Sequence, residues 1–112
     1  MADIYGEGNF QYRFVEDWIK LPDGMKLLEC PGVAVDAEDR VFILNRGDNP
    51  IMVFDRDGNY LNCWGIGAIT DPHGINIVDD IVYITDRSDQ VAVKYTLDGK
   101  PLQIIGERGV FS

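Results

Sequence analysis

Basic residues are scarce in this chain of 112 residues: ten Lys and Arg stand against nineteen Asp and Glu, a net charge of −9. A nucleic-acid backbone or an anionic lipid surface is bound through clustered cations, so neither is expected as a partner. No apolar run reaches the length that spans a bilayer, and Met1 to Asn9 holds no basic region followed by an apolar one. The expectation is a soluble, cytoplasmic protein. Cysteine is limited to Cys30 and Cys63, at no metal-like spacing. That predicts two free, partly buried thiols rather than a disulfide framework. Histidine is rarer still, with His73 alone. Helical periodicity is missing too: apolar residues at i, i+3, i+4 are nowhere sustained, and Gly or Pro interrupts every stretch. What remains, 46% hydrophobic residues in short runs between turns, reads as all-β.

The chain repeats itself. Pro31-Gly32-Val33-Ala34-Val35-Asp36 lies over Pro72-His73-Gly74-Ile75-Asn76-Ile77 with Gly32 on Gly74, and Val41 to Arg46 lies over Val82 to Arg87. Phe54 falls on Tyr95 and Asp57-Gly58 on Asp98-Gly99, so the offset is 42 residues at first and 41 after a deletion near Asp79-Asp80. Each copy reads as four short strands. In the first they are Val33–Val35, Val41–Leu44, Ile51–Phe54 and Tyr60–Trp64; in the second, Ile75–Val78, Ile81–Thr85, Val91–Tyr95 and Leu102–Ile105. Asp57-Gly58 and Asp98-Gly99 are hairpin signals, because both residue types tolerate positive φ. Four antiparallel strands at this period mark a propeller blade. The predicted organisation is a segment 1–29 with one closing strand (Phe10 to Leu21), blades at 30–66 and 67–109, and 110–112 as the start of a continuation.

Pro31 to Asp36, Val53 to Gly58 and Leu61 to Gly65 resemble the NHL-repeat consensus. Gly6 to Phe10, Asn45-Arg46-Gly47-Asp48-Asn49-Pro50 and Asp71-Pro72-His73-Gly74-Ile75 resemble, more narrowly, the six-bladed propeller family of peptidyl-α-hydroxyglycine α-amidating lyase and its bacterial relatives. The resemblance covers nearly the whole chain. It implies a carbon–nitrogen lyase that splits its substrate into a peptide amide and glyoxylate. It also implies a zinc ion on the propeller axis held by three histidines from alternate blades. By resemblance His73 matches the first zinc histidine and Arg46 the site arginine. Val33 and Ile75 match positions whose backbone carbonyls hold a structural calcium. Zinc takes neutral imidazole and acts as a Lewis acid on a bound hydroxyl, and an arginine fork suits a carboxylate.

Other readings stay open on the same residues. A lone histidine is more often structural than ligating. Arg46 has Asp48 and Asp86 as candidate ion-pair partners, and Arg87 stands at its equivalent place in the second copy. Trp18 and Trp64 read as packing residues between blades, and Asp55, Asp57 and Asp98 as turn residues. One histidine makes no closed zinc site, so the chain alone is expected to be inactive. The alternatives are a non-catalytic NHL propeller that binds a peptide, protein or small molecule on its channel face, or a structural fragment. Two blades leave open apolar faces, to be covered by the remaining blades of a longer chain or by self-association into a homotrimer.

Overall fold

The computed structural model describes residues 4–87 and 90–106. The fold is all-β with antiparallel sheets; no helix occurs among the described residues, so none is long and apolar enough to cross a membrane. Sheet 1 is a meander of β3 (Gly32–Val35), β4 (Val41–Leu44), β5 (Ile51–Phe54) and β6 (Tyr60–Trp64), paired in that order. Sheet 2 repeats it with β7 (Pro72–Val78), β8 (Ile81–Asp86), β9 (Val91–Thr96) and β10 (Pro101–Ile105). The expected continuation at 110–112 lies outside the described residues.

The deletion between the copies has a local cause. Asp79 and Asp80 both take positive φ, 51° and 62°, and close β7 on β8 as a two-residue turn. Its counterpart in sheet 1 is the longer loop Asp36–Arg40. There the Asp36 carboxylate accepts from the backbone N–H of Glu38 and Arg40 and from Arg40 Nε at 2.7 Å.

Alternation decides which face each sheet buries. Phe42, Leu44, Ile51, Val53 and Trp64 share one face of sheet 1 and pack on Val82, Ile84, Val91, Val93 and Tyr95 of sheet 2, with Ile69 of the connecting loop between them. The edge strands β3 and β7 run close together. A Cβ on Gly32 would stand 3.1 Å from Ile75 Cγ2 and 3.5 Å from Ile75 N, so a larger residue would push these strands apart. The radius of gyration is 15.3 Å, against about 13 Å for a compact domain of this length. The longest principal extent is 49 Å and the shortest 23 Å.

The N-terminal segment departs from the expected single strand. β1 (Ile4–Glu7) and β2 (Phe10–Arg13) pair with each other as a hairpin across Gly8-Asn9, which supplies the partner that reading had lacked. Residues 14–19 are not strand, and Asp17 turns the chain with φ 56°. Lys20 then bridges to Asn59 in parallel. From there the chain crosses to the other end of sheet 1, where Asn45 bonds Lys26 O and the Leu28 N–H. Met52 and Phe54, on the face away from sheet 2, are fully buried.

Candidate functional site

Arg46 and His73, from different sheets and 27 residues apart, meet at one end of the intersheet seam. Arg46 lies two residues past the end of β4, and its backbone N–H donates to Glu29 O at 2.8 Å. His73 is the extra residue of a β-bulge: Pro72 pairs with Asp86 and Gly74 with Thr85, leaving His73 opposite nothing. A bulge re-aims a side chain that strict alternation would place elsewhere. Here the imidazole Nδ1 lies 3.3 Å from Arg46 Nη2.

Four groups hold the Arg46 guanidinium. Nη1 donates to Glu29 Oε2 at 2.9 Å, Nε donates to Pro72 O at 3.0 Å and lies 3.3 Å from Asp71 Oδ1, and Nη2 faces His73. Asp48 and Asp86, the partners considered from sequence, are not the ones used. Asp86 is buried and bonds Thr70 N and Oγ1 instead. Arg87 pairs with Asp71 through Nε at 3.2 Å, and its N–H donates to Asp71 O at 2.9 Å. Glu29:Arg46 and Asp71:Arg87 are therefore the same contact in successive repeats. The repeat alignment sets Glu29 on Asp71, both acidic, which was the available signal for them.

Buried polar anchors support this end of both sheets. Asn45, wholly buried, accepts from Leu28 N and donates to Lys26 O and Asn49 O. Asp86, at its repeat position, accepts from Thr70 N. Each fixes the approach of the chain to the first strand of its sheet. Neither was read from sequence as a buried anchor, because a polar residue after an apolar run reads as exposed.

As arranged, Arg46 takes up one ring nitrogen of His73. Arginine has only donors, so a hydrogen bond between the two side chains needs Nδ1 as acceptor and the ring proton on Nε2. The imidazole's lone pair then faces a cation, and no group of three or more metal-ligating side chains occurs among the described residues. For calcium, Val33 and Ile75 lie on the edge strands β3 and β7. With Val78 and Ile81 closing the two-residue turn, alternation along the ladder turns the Ile75 carbonyl away from β8. A calcium ion takes about six to eight oxygens, and two carbonyls alone do not make such a site.

An open depression of about 240 Å³ lies nearby, lined by Gly24, Lys26, Leu28, Asp48 and Asn49. Neither Arg46 nor His73 lines it. Both cysteines are free, and Cys30 is exposed rather than partly buried, while partial burial pushes the Cys63 thiol up from its ordinary value. No protein-family model and no curated protein sequence matches the chain.

Proposed function

We propose that the chain forms two consecutive blades of an NHL-type six-bladed β-propeller and contributes, at their channel end, a binding site for a peptide-like or small-molecule ligand. The observation that carries the site is the meeting of Arg46 and His73 across the seam between the sheets. Support for the ring comes from a packing contact that occurs twice. Trp64 of sheet 1 packs its ring on Tyr95 and on Gly99 in the β9–β10 turn, and Trp18 packs its ring on Phe54 while its backbone carbonyl lies against Gly58 in the β5–β6 turn. Trp18 thus stands to sheet 1 as Trp64 stands to sheet 2, in the place of a preceding blade.

A second reading, the zinc-dependent amidating lyase that the resemblance implies, draws on the same Arg46–His73 proximity. It requires Arg46 to leave Nδ1 so that the ring can offer a lone pair. Binding without metal requires no such change, and it is the reading we favour.

The remaining blades come from a longer chain rather than from a homotrimer in this proposal. The outer face of sheet 2 carries Asn76, Tyr83, Thr85, Lys94 and Gln103, with Lys94 Nζ 5.5 Å from the Tyr83 ring centre. A head-to-tail ring of copies would press those polar groups onto Val33 and Val35 of the next copy. Zinc titration followed at the His73 ring by NMR tests the site: no shift is expected at stoichiometric zinc. Uptake of zinc that is lost in His73→Ala would restore the lyase reading. A molar mass of three chains in solution would overturn the preference against a trimer.

A further inference from the structure

We infer that Asp71 is a positioning residue that serves two arginines at once and so holds Arg46 against His73. The inference rests on reading Arg46 and His73 as one site. Asp71 Oδ1 lies 3.3 Å from Arg46 Nε, and Asp71 Oδ2 lies 3.2 Å from Arg87 Nε. One carboxylate, using both oxygens, thereby ties the residues just past β4 and β8 to the chain entering β7. Glu29, its repeat counterpart, ion-pairs with Arg46 of its own sheet. Arg46 consequently takes hold of three consecutive residues of the second repeat, Asp71, Pro72 and His73.

The side chain matters chemically. A carboxylate is all acceptor, and its two oxygens suit two donor-only guanidinium groups. An amide of the same size has one acceptor oxygen and presents N–H donors at the other position. Asp71→Asn can therefore satisfy one arginine, not both. Asp71→Glu keeps both oxygens and is the conservative rescue.

The test follows the Arg46 and Arg87 Nε–H signals and the His73 ring by ¹⁵N NMR in the 112-residue chain. In the unsubstituted protein Arg46 Nε–H, which donates to Pro72 O and ion-pairs with Asp71, is expected to exchange more slowly than Arg87 Nε–H. In Asp71→Asn, Arg46 Nε–H keeps Pro72 O but loses its ion pair, and its exchange is expected to quicken by up to about fivefold, as for the loss of a partly exposed ion pair. The His73 ring signals should move with it while the strand amides stay in place, and Asp71→Glu should restore both. Unchanged Arg46 exchange and His73 signals in folded Asp71→Asn would overturn the inference. If that variant does not fold, the absence of a nuclear Overhauser cross-peak between Arg46 Nε–H and the Asp71 Hβ protons in the unsubstituted protein overturns it. His73→Ala separates the two claims. An Arg46 signal indifferent to it would mean that Arg46 and His73 are not one site, whatever Asp71 does.

Discussion

The two sheets share one plan and differ most in their outward faces. Sheet 1 turns Val33, Val35, Val41, Ile43, Met52 and Phe54 outward, every one apolar. The equivalent face of sheet 2, with Ile75, Ile77, Val82, Ile84, Val93 and Tyr95, is the one that sheet 1 covers. Sheet 1 thus carries the residues of a face built to be covered, and residues 18–29 anchor to both ends of that sheet, while Val33 stays 60% exposed. The outward face of sheet 2 has exchanged the Leu44 of sheet 1 for Thr85, Phe42 for Tyr83 and Val53 for Lys94. A repeat in sequence is therefore not a repeat in solvation. The same backbone position is core in one copy and surface in the other.

The sharpest break of that comparison is the pair Leu44→Ala and Thr85→Ala. Leu44 is fully buried between the sheets and Thr85 is exposed. Leu44→Ala is expected to cost about 2–5 kcal/mol and Thr85→Ala at most about 0.5 kcal/mol in urea unfolding. Similar losses would mean that the two faces are equally covered in solution.

Next come the hairpin glycines, where the sheets should behave alike. Gly58 and Gly99 have φ of 84° and 91°, and an added Cβ at Gly99 would stand 2.5 Å from Trp64 Cδ2, while at Gly58 it would meet Trp18 O. Each Gly→Ala change is expected to cost about 1–3 kcal/mol by thermal or urea unfolding. A tolerated Gly58→Ala alongside a damaging Gly99→Ala would separate Trp18 from Trp64 and weaken the blade equivalence.

The smallest effect concerns acid. Asp55 Oδ1 accepts from the N–H groups of Asp57 and Asn59, and Oδ2 accepts from Asn59 Nδ2. The bonds to Asn59, side chain first, hold the Asp55 carboxyl below its ordinary value of 3.8. Because the folded value is depressed, its contribution is complete above the ordinary carboxylate range and is lost as pH falls through the lower folded value. Thr96 occupies the same place in sheet 2 and accepts from Lys100 N through a hydroxyl that does not titrate there. Amide exchange, corrected for its intrinsic pH dependence, should lose protection at Asn59 on acidification and keep it at Lys100. Equal loss at both turns would contradict the assignment.

Much of the fold was legible because strands buried on one face print their period in the sequence. β4, β5 and β6 match the expected runs residue for residue, and the Asp-Gly turns fall where positive φ is needed. β7 starts earlier than its apolar run because Pro72, His73 and Gly74 enter the ladder through a bulge, and no periodicity announces a bulge. The β1–β2 hairpin was missed because its strands are exposed throughout, with no buried face to set a pattern. At the site, Arg46 and His73 stood out by residue type and context. Glu29 and Asp71 did not, since an acidic residue in a loop looks like solvated surface until the fold brings an arginine to it.

Trp18 and Trp64 each set an indole beside the equivalent aromatic ring of successive sheets. Their ring centres lie 6.0 Å from Phe54 and 5.1 Å from Tyr95 respectively. Nuclear Overhauser spectroscopy on the aromatic protons tests it directly. Cross-peaks are expected for both pairs, Trp18 with Phe54 and Trp64 with Tyr95. A folded chain that shows the Trp64–Tyr95 cross-peak but none between Trp18 and Phe54 would contradict the account.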